Sequence, residues 1–199
     1  MALTSTQLQA LKTAINGNGA WSSFAQNSDG YVALAQALNQ PASPTFTVWR
    51  TEVPTTTVLD AIDFSKFTPS AALDDATLST QLIATQRQAQ LLAIQTKQMN
   101  LQMMTQGRAA LDASKPNIRG GLRDAVIQLP SGSSGAFVSA AGASGVNVLN
   151  ACTRAATEAE KILVTASQGS DTTGTVTARV MGFEGSLSAG DVEAARNLP

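Results

Sequence analysis

The chain has 199 residues, with 13 basic and 14 acidic side chains and therefore a formal net charge of −1 at pH 7. Such a balance provides no overall field that would attract nucleic acid or an anionic membrane. Because there is no histidine and only one cysteine, an internal disulfide, a cysteine–histidine zinc cluster and a histidine-dependent catalytic triad are excluded. The length corresponds to one domain with a substantial core.

Targeting and membrane signals are weak throughout the sequence. No apolar run approaches the roughly 18 residues of a membrane helix. The first residues also lack the basic stretch and apolar run of a signal peptide. We therefore expect a soluble protein that is made in a cytoplasm and does not contact a membrane.

The residues that could carry chemistry have simpler explanations. Two carboxylate pairs, Asp60/Asp63 and Asp74/Asp75, lie at the ends of predicted helices, where capping and the helix dipole account for them. The glycines of residues 132–135 lack the lysine and hydroxyl residue of a phosphate-binding loop. We expect no catalytic residue, no metal site and no cofactor, and hence not an enzyme.

The first elements are predicted from local signals. Residues 4–7 form a capping box, which predicts a helix over residues 5–16. A second helix is expected to start at residue 28 or 29 and to end before Pro41. Residues 46–53 are rich in β-branched and aromatic side chains and predict a short strand.

The longest predicted element is a helix over residues 76–106, which would be about 46 Å long. Its only charged side chains are Arg87 and Lys97, and two apolar stripes run along it. The first stripe contains Leu78, Leu82, Ala89, Leu92, Met99 and Met103. The second stripe contains Ile83, Ile94 and Leu101.

Two apolar stripes must be covered on more than one side, so we interpret this element as the central helix of a bundle. The alternative is a helix shared between the core and a subunit interface. Its polar positions are mostly glutamine, which can form hydrogen bonds across an interface without burying a charge. Burial on both faces predicts that a Leu92→Asp replacement unfolds the subunit.

The second half of the chain predicts three further helices, one strand and two stretches rich in small residues. The helices are 116–129, 147–166 and 188–196, the strand is 175–181, and the loops are 131–145 and 167–174. Cys152 lies on the apolar face of the 147–166 helix and is expected to be a small buried hydrophobic residue. Gly120 and Gly121 are expected to permit the close approach of another backbone.

These elements together predict a mainly α fold, a helical bundle around one long central helix (about 76–106). Residues 46–53 and 175–181 supply a small β element. We expect a helical body over 1–166 and a C-terminal extension over 167–199, made of the strand and a short helix. Two placements of the extension remain open: docking on a neighbouring chain, which we favour, or folding back to pair with residues 46–53.

Basic residues are concentrated between Arg87 and Arg123, where six bases accompany Asp112 as the single acid. We expect this segment to line a subunit interface with acidic partners, or alternatively a DNA channel. Charge reversal at Arg119 and Arg123 is then expected to block assembly and to leave the isolated fold intact. The candidate interface residues are Arg108, Lys115, Arg119, Arg123, Phe137, Phe183, Leu187 and Val192.

Five stretches resemble a family of small virion proteins of tailed bacteriophages and prophages. They are residues 48–54 (VWRTEVP), 60–69 (DAIDFSKFTP), 118–125 (IRGGLRDA), 129–132 (LPSG) and 183–196 (FEGSLSAGDVEAAR). The resemblance covers most of the chain, and its motifs are structural and carry no chemistry.

Within that group the chain is similar to head–tail adaptors, which attach as a ring beneath the portal. The resemblance implies a homo-oligomeric ring, most readily a dodecamer, in the virion neck. Its implied partners are the portal protein, a tail tube, nozzle or tail-completion protein, and packaged DNA in the channel. Two alternatives stay open: another virion protein, such as a minor tail or capsid-decoration protein, or a small-terminase-like DNA-binding protein.

Overall fold

The computed structural model describes residues 3–64, 80–127, 129–131, 136–138, 148–164 and 170–199. The helices in these ranges are α1 Ser5–Gly17, α2 Gly19–Ser22, α3 Ser28–Leu38, α4 Thr55–Asp60, α5 Thr80–Thr105, α6 Pro116–Val126, α7 Val148–Ala151, α8 Glu158–Leu163 and α9 Ala189–Arg196. The strands are β1 Thr47–Trp49, β2 Val53–Pro54, β3 Ala110–Leu111, β4 Leu129–Ser131, β5 Ala136–Val138, β6 Thr153–Ala155, β7 Ser170–Thr173 and β8 Val176–Arg179.

The chain divides into two compact units. Unit 1 comprises Met1–Val48, Arg154–Asp171 and Ala178–Pro199, and unit 2 comprises Trp49–Thr153 and Thr172–Thr177.

Unit 1 is built from helices α1, α3, α8 and α9 around an aliphatic core. The capping box predicted at residues 4–7 is confirmed: the Thr4 hydroxyl accepts from the Gln7 N–H, and the Gln7 side chain accepts from the Thr4 N–H. Trp21 and Phe24 pack against the edge of the core. The fully buried or nearly buried core side chains include Leu11, Ile15, Leu34, Leu38, Leu163, Leu187 and Val192.

Unit 2 is built around helix α5, which packs against α6. Helix α6 begins with Pro116 at its first turn, as predicted. A Cβ atom on Gly121 would lie 2.9 Å from the Met104 sulfur, whereas one on Gly120 would meet nothing within 4 Å. Only Gly121 therefore serves a close approach, and its neighbour is a side chain rather than a backbone.

The sheets explain why the predicted fold class is wrong. The chain is α+β, with a mixed four-stranded sheet in the order β6-β1-β8-β7 and two antiparallel pairs, β2–β3 and β4–β5. It is not a bundle around a single long helix. Strand β6 interrupts the predicted 147–166 helix, and β7 lies within the stretch predicted as the 167–174 linker.

Long-range pairing overrides the helical pattern around β6. In unit 2 the Arg50 N–H donates to the Cys152 carbonyl at 2.9 Å, and in unit 1 the Ala156 N–H donates to the Phe46 carbonyl at 2.8 Å. These bonds require an extended chain between residues 152 and 156. The apolar periodicity of the segment could not reveal partners that lie about 100 residues away.

The C-terminal residues pack on their own chain, which was the less favoured of the two predicted placements. Val48 of β1 lies opposite Arg179 of β8 in a parallel pair. The Asn39 side chain donates to the Leu187 carbonyl at 2.9 Å and accepts from the Leu187 N–H at 2.8 Å. Val192 is fully buried in the core of unit 1. Contact of this segment with a neighbouring chain stays a prediction.

Several predictions fall outside the described residues. They concern the start of the long helix over 76–79, the acid pair at 74–75, most of the 131–145 loop, and residues 167–169 of the linker.

Three charged side chains, Arg154, Glu160 and Glu184, form a cluster in unit 1. Arg154 donates to both carboxylate oxygens of Glu160, at 2.7 and 2.8 Å, and to Glu184 at 2.8 Å. The backbone N–H groups of Thr157 and Gly185 also donate to Glu160, at 3.0 and 3.1 Å. Burial alone would raise the pKa of Glu160, but the hydrogen bonds from Arg154 and the two N–H groups outweigh it and lower that pKa.

This cluster predicts a specific acid sensitivity. A carboxylate with a lowered folded-state pKa stabilises the fold above the ordinary glutamate pKa of about 4.3, and its contribution is lost as the pH falls through the folded-state value. We expect Glu160→Gln to lower the free energy of unfolding at pH 7 by on the order of 2 kcal/mol. Urea unfolding at pH 7 and at pH 3 should show that difference shrinking in acid. A difference that is constant with pH would contradict this role.

Candidate interaction surface

Helix α5 has one apolar side in the core and one in solvent. Ile94 and Leu101 are 0% and 4% exposed, whereas Leu92, Met99 and Met103 are 64%, 60% and 69% exposed. The prediction of burial on two faces is therefore wrong for the described part of this helix. Ile94 and Leu101 of the second stripe lie in the core of unit 2, whereas Leu92, Met99 and Met103 of the first stripe do not.

The exposed stripe has the spacing of a coiled-coil seam. We call its six residues the seam: Thr85, Ala89, Leu92, Thr96, Met99 and Met103. They are separated by four, three, four, three and four positions, an average close to 3.5 residues, and each of them is exposed. A repeat of 3.5 residues keeps a stripe aligned with a partner helix.

The seam carries no ionisable side chain. Along one side run Gln88, Gln95 and Gln102, seven residues apart and all exposed. Each glutamine amide can donate and accept hydrogen bonds without a charge. The surface therefore offers methyl, methylene and thioether groups bordered by neutral amides.

On its other side the seam adjoins an open groove of about 460 Å³. The groove is lined by Ala89, Leu92, Ala93, Thr96, Lys97 and Asn100 of α5 and by Asp124 of α6. The Lys97 ammonium donates to the Asp124 carbonyl. Burial lowers the pKa of Lys97, and the Asp124 carboxylate opposes that shift.

Arg119, a predicted interface residue, is instead fully buried. Its guanidinium lies 4.6 Å from the centre of the Trp49 ring. It donates to the carbonyls of Ala113 and Ser114 at 2.7 and 2.8 Å, and to the Thr173 hydroxyl at 3.1 Å. This geometry removes Arg119 from any interaction surface and makes it a structural residue of unit 2.

The other three bases of the predicted interface remain exposed. They are Arg108, Lys115 and Arg123. Lys115 forms an ion pair with Asp112 at 3.3 Å. Burial would raise the pKa of Asp112, but the hydrogen bonds from Ser114 and the charge of Lys115 lower it overall.

Three of the four apolar residues of the predicted interface pack in or against the core of unit 1. Leu187 and Val192 are core residues of unit 1, and Phe183 is half-buried against that core. Phe137 lies in β5 opposite Pro130 of β4. None of the eight predicted interface residues belongs to the seam. The sequence assigned Leu92, Met99 and Met103 to an apolar stripe and kept a role shared between core and subunit interface only as the alternative for the whole helix.

Cys152 is buried, as predicted, although it lies in a turn between α7 and β6 rather than in the expected 147–166 helix. Burial raises the pKa of its thiol to about 11, and the positive charges of Arg50 and Arg119 only partly offset this effect. A thiol that is both buried and protonated at neutral pH is a poor nucleophile.

The described residues contain no group of three or more histidine, cysteine, aspartate or glutamate side chains that could hold a metal ion. Over the same part of the chain, no helix has the length and apolar character required to cross a membrane. Comparison with protein-family models, curated proteins and solved structures found no match.

Proposed function

We propose that this protein is a structural subunit of a tailed-phage virion and acts as a head–tail adaptor. In this role identical subunits form a ring, most readily a dodecamer, in the virion neck. The ring contacts the portal protein on one side and a tail component on the other, with packaged DNA in its channel. The proposal takes its specific form from the resemblance of residues 48–54, 60–69, 118–125, 129–132 and 183–196 to phage virion proteins.

The observation that carries an assembling role is the exposed seam of α5. Contiguous apolar surface on a soluble protein usually marks an interaction site. Leu92, Met99 and Met103 each expose well over half of their surface on one side of a single helix. Methionine adapts to irregular partner surfaces because its side chain is flexible and polarisable.

The chemistry of this surface fits packing rather than catalysis. Its apolar groups and neutral amides are neither acids, bases nor nucleophiles at neutral pH. The exposed bases Arg108, Lys115 and Arg123 can add charge-assisted contacts to acidic residues of a neighbouring protein. Such contacts orient a partner and accelerate its docking, while apolar packing supplies most of the affinity.

A nonsense mutation in the phage gene tests the proposed function. Without an adaptor we expect DNA-filled heads and free tails to accumulate, because no ring joins them, and the titre of infectious particles to fall by several orders of magnitude. Electron micrographs of lysates and plaque counts measure the two effects. Supplying the wild-type chain from a plasmid should restore joined virions.

Joined, infectious virions in the absence of the chain would contradict the proposal. Empty heads that never package DNA would instead support the small-terminase alternative.

A further inference from the structure

We propose that the seam of α5 is covered by the seam of a second copy of this chain, with the two helices antiparallel around a two-fold axis. This inference rests on the proposed assembling role and names the occupant of the surface. A two-fold contact is isologous and closes on itself, so it pairs two subunits in solution. A cyclic ring whose portal and tail sides differ has no such axis between neighbouring subunits, so the pair separates before its subunits enter the ring.

The electrostatics of the surface favour a second copy as the occupant. Two identical surfaces placed face to face oppose like charges near the axis, which is destabilising. The six seam residues and the flanking Gln88, Gln95 and Gln102 include no charge, so this cost is absent along the seam itself. In the groove on its other side, the Lys97 ammonium is bonded to the Asp124 carbonyl. Glutamine amides also complement one another, because each is both donor and acceptor.

The order of side-chain sizes along the seam favours the antiparallel arrangement. The small residues, Thr85 and Ala89, lie at its N-terminal end, and the large residues, Met99 and Met103, lie at its C-terminal end. An antiparallel pair centred near Ile94 places Thr85 opposite Met103, Ala89 opposite Met99, and Leu92 opposite Thr96. Each layer then joins a large side chain to a small one, as good packing requires.

A parallel pair would distribute volume poorly along the same seam. Met99 and Met103 would each face their own copy at one end, and Ala89 would face Ala89 at the other. The first arrangement crowds the contact and the second leaves a void, both of which are destabilising. The antiparallel pair also aligns the two helix dipoles favourably.

The polar atom of the central layer is already satisfied. The Thr96 hydroxyl donates to the Leu92 carbonyl at 2.8 Å within the same helix. Burying Thr96 in the contact therefore leaves no hydroxyl donor without an acceptor.

The area of the seam determines how tightly we expect the dimer to form. From Thr85 to Met103 the seam extends about 27 Å, and two helices in contact share a strip about 10 Å wide. This footprint is smaller than the roughly 800 Å² that each partner buries in a standard stable interface. We therefore expect a reversible dimer that forms at high micromolar protein concentration.

Analytical ultracentrifugation of the full chain tests the pair. We expect the dimer fraction to rise with concentration up to about 1 mM. A Leu92→Glu/Met99→Glu variant should weaken the dimer at least about tenfold, with its circular dichroism unchanged. Val32→Glu is the matched control, because Val32 is exposed on α3 in unit 1 and its replacement should leave dimerisation unchanged. A wild-type chain that stays monomeric up to 1 mM overturns the proposal.

Disulfide trapping tests the antiparallel register. A mixture of the Ala89→Cys and Met99→Cys variants should form a cross-linked dimer on oxidation, because those positions face each other. Either variant alone should not, since identical positions would lie about 15 Å apart along the axis, beyond the reach of a disulfide. The buried Cys152 does not compete.

Cross-linking of Met99→Cys alone as efficiently as the mixture would overturn the antiparallel arrangement. Failure of the dimer is distinguishable from failure of the proposed function, because a phage lacking the gene can still show unjoined heads and tails.

Discussion

Replacement of Ile94 by aspartate should unfold unit 2, whereas the same replacement at Leu92 should leave the protein folded. The two residues lie two positions apart on helix α5 but are 0% and 64% exposed. A charge at position 94 would be buried without a partner, at a cost on the order of 3–5 kcal/mol. That cost is a large fraction of the total stability of a typical domain, about 5–15 kcal/mol.

At position 92 the new carboxylate would lie in water. The expected loss is then below about 1 kcal/mol and comes mainly from the lower helix propensity of aspartate. Thermal unfolding followed by far-ultraviolet circular dichroism at low protein concentration measures both variants as monomers. Equal destabilisation of the two would contradict the orientation of α5 described here.

Replacement of Arg119 by methionine should be nearly as damaging as Ile94→Asp. The variant keeps similar bulk but leaves the carbonyls of Ala113 and Ser114 and the Thr173 hydroxyl without their donor. It also loses the cation–π contact with Trp49. Unsatisfied buried groups cost about 1–3 kcal/mol each, so we expect a total loss on the order of 4 kcal/mol.

Two companions make the Arg119 test specific. Arg119→Lys should recover little, because a lysine cannot reach three acceptors and stack on an indole at the same time. Arg123→Met is the matched control: Arg123 lies one turn further along α6, is exposed, and should change stability by less than about 0.5 kcal/mol. Urea denaturation measures all three variants. A stable Arg119→Met variant would contradict the structural role.

This expectation replaces the prediction that charge reversal at Arg119 leaves the isolated fold intact. A glutamate at position 119 would place a carboxylate next to carbonyl oxygens, which are also acceptors. The variant would therefore unfold and could not report on assembly. In the sequence, Arg119 is simply a base one helical turn from Arg123. No neighbouring residue indicates that Trp49 and Thr173 contact its side chain.

The parts of the fold that could be predicted depend on neighbouring residues. The cap at Thr4/Gln7 was predicted correctly, and a second capping box, at Ser188/Asp191, stands where the predicted 188–196 helix begins. Each box is complete within four residues, so local sequence is enough to show it. A third box at Thr157/Glu160 was missed, although the same pattern stands in the sequence. Noticing it would have divided the predicted 147–166 helix near its middle.

The parts that could not be predicted depend on distant pairing. Strands β6 and β7 are short, and their sequences are compatible with a helix or a loop. Both stripes of α5 were recognised as apolar, but composition alone cannot tell which of two apolar stripes enters the core. Spacing does not separate them either, because the seven residues between Ile94 and Leu101 equal one step of four plus one of three, the repeat of the seam.

Electron cryo-microscopy of the virions proposed to carry this chain tests the head–tail adaptor role most directly. We expect the chain to fit density for a closed ring of identical subunits in the neck, in contact with the portal on one side and the tail on the other. Location of the chain on the outer capsid surface or along the tail, or its absence from the mature particle, would contradict the proposed adaptor role.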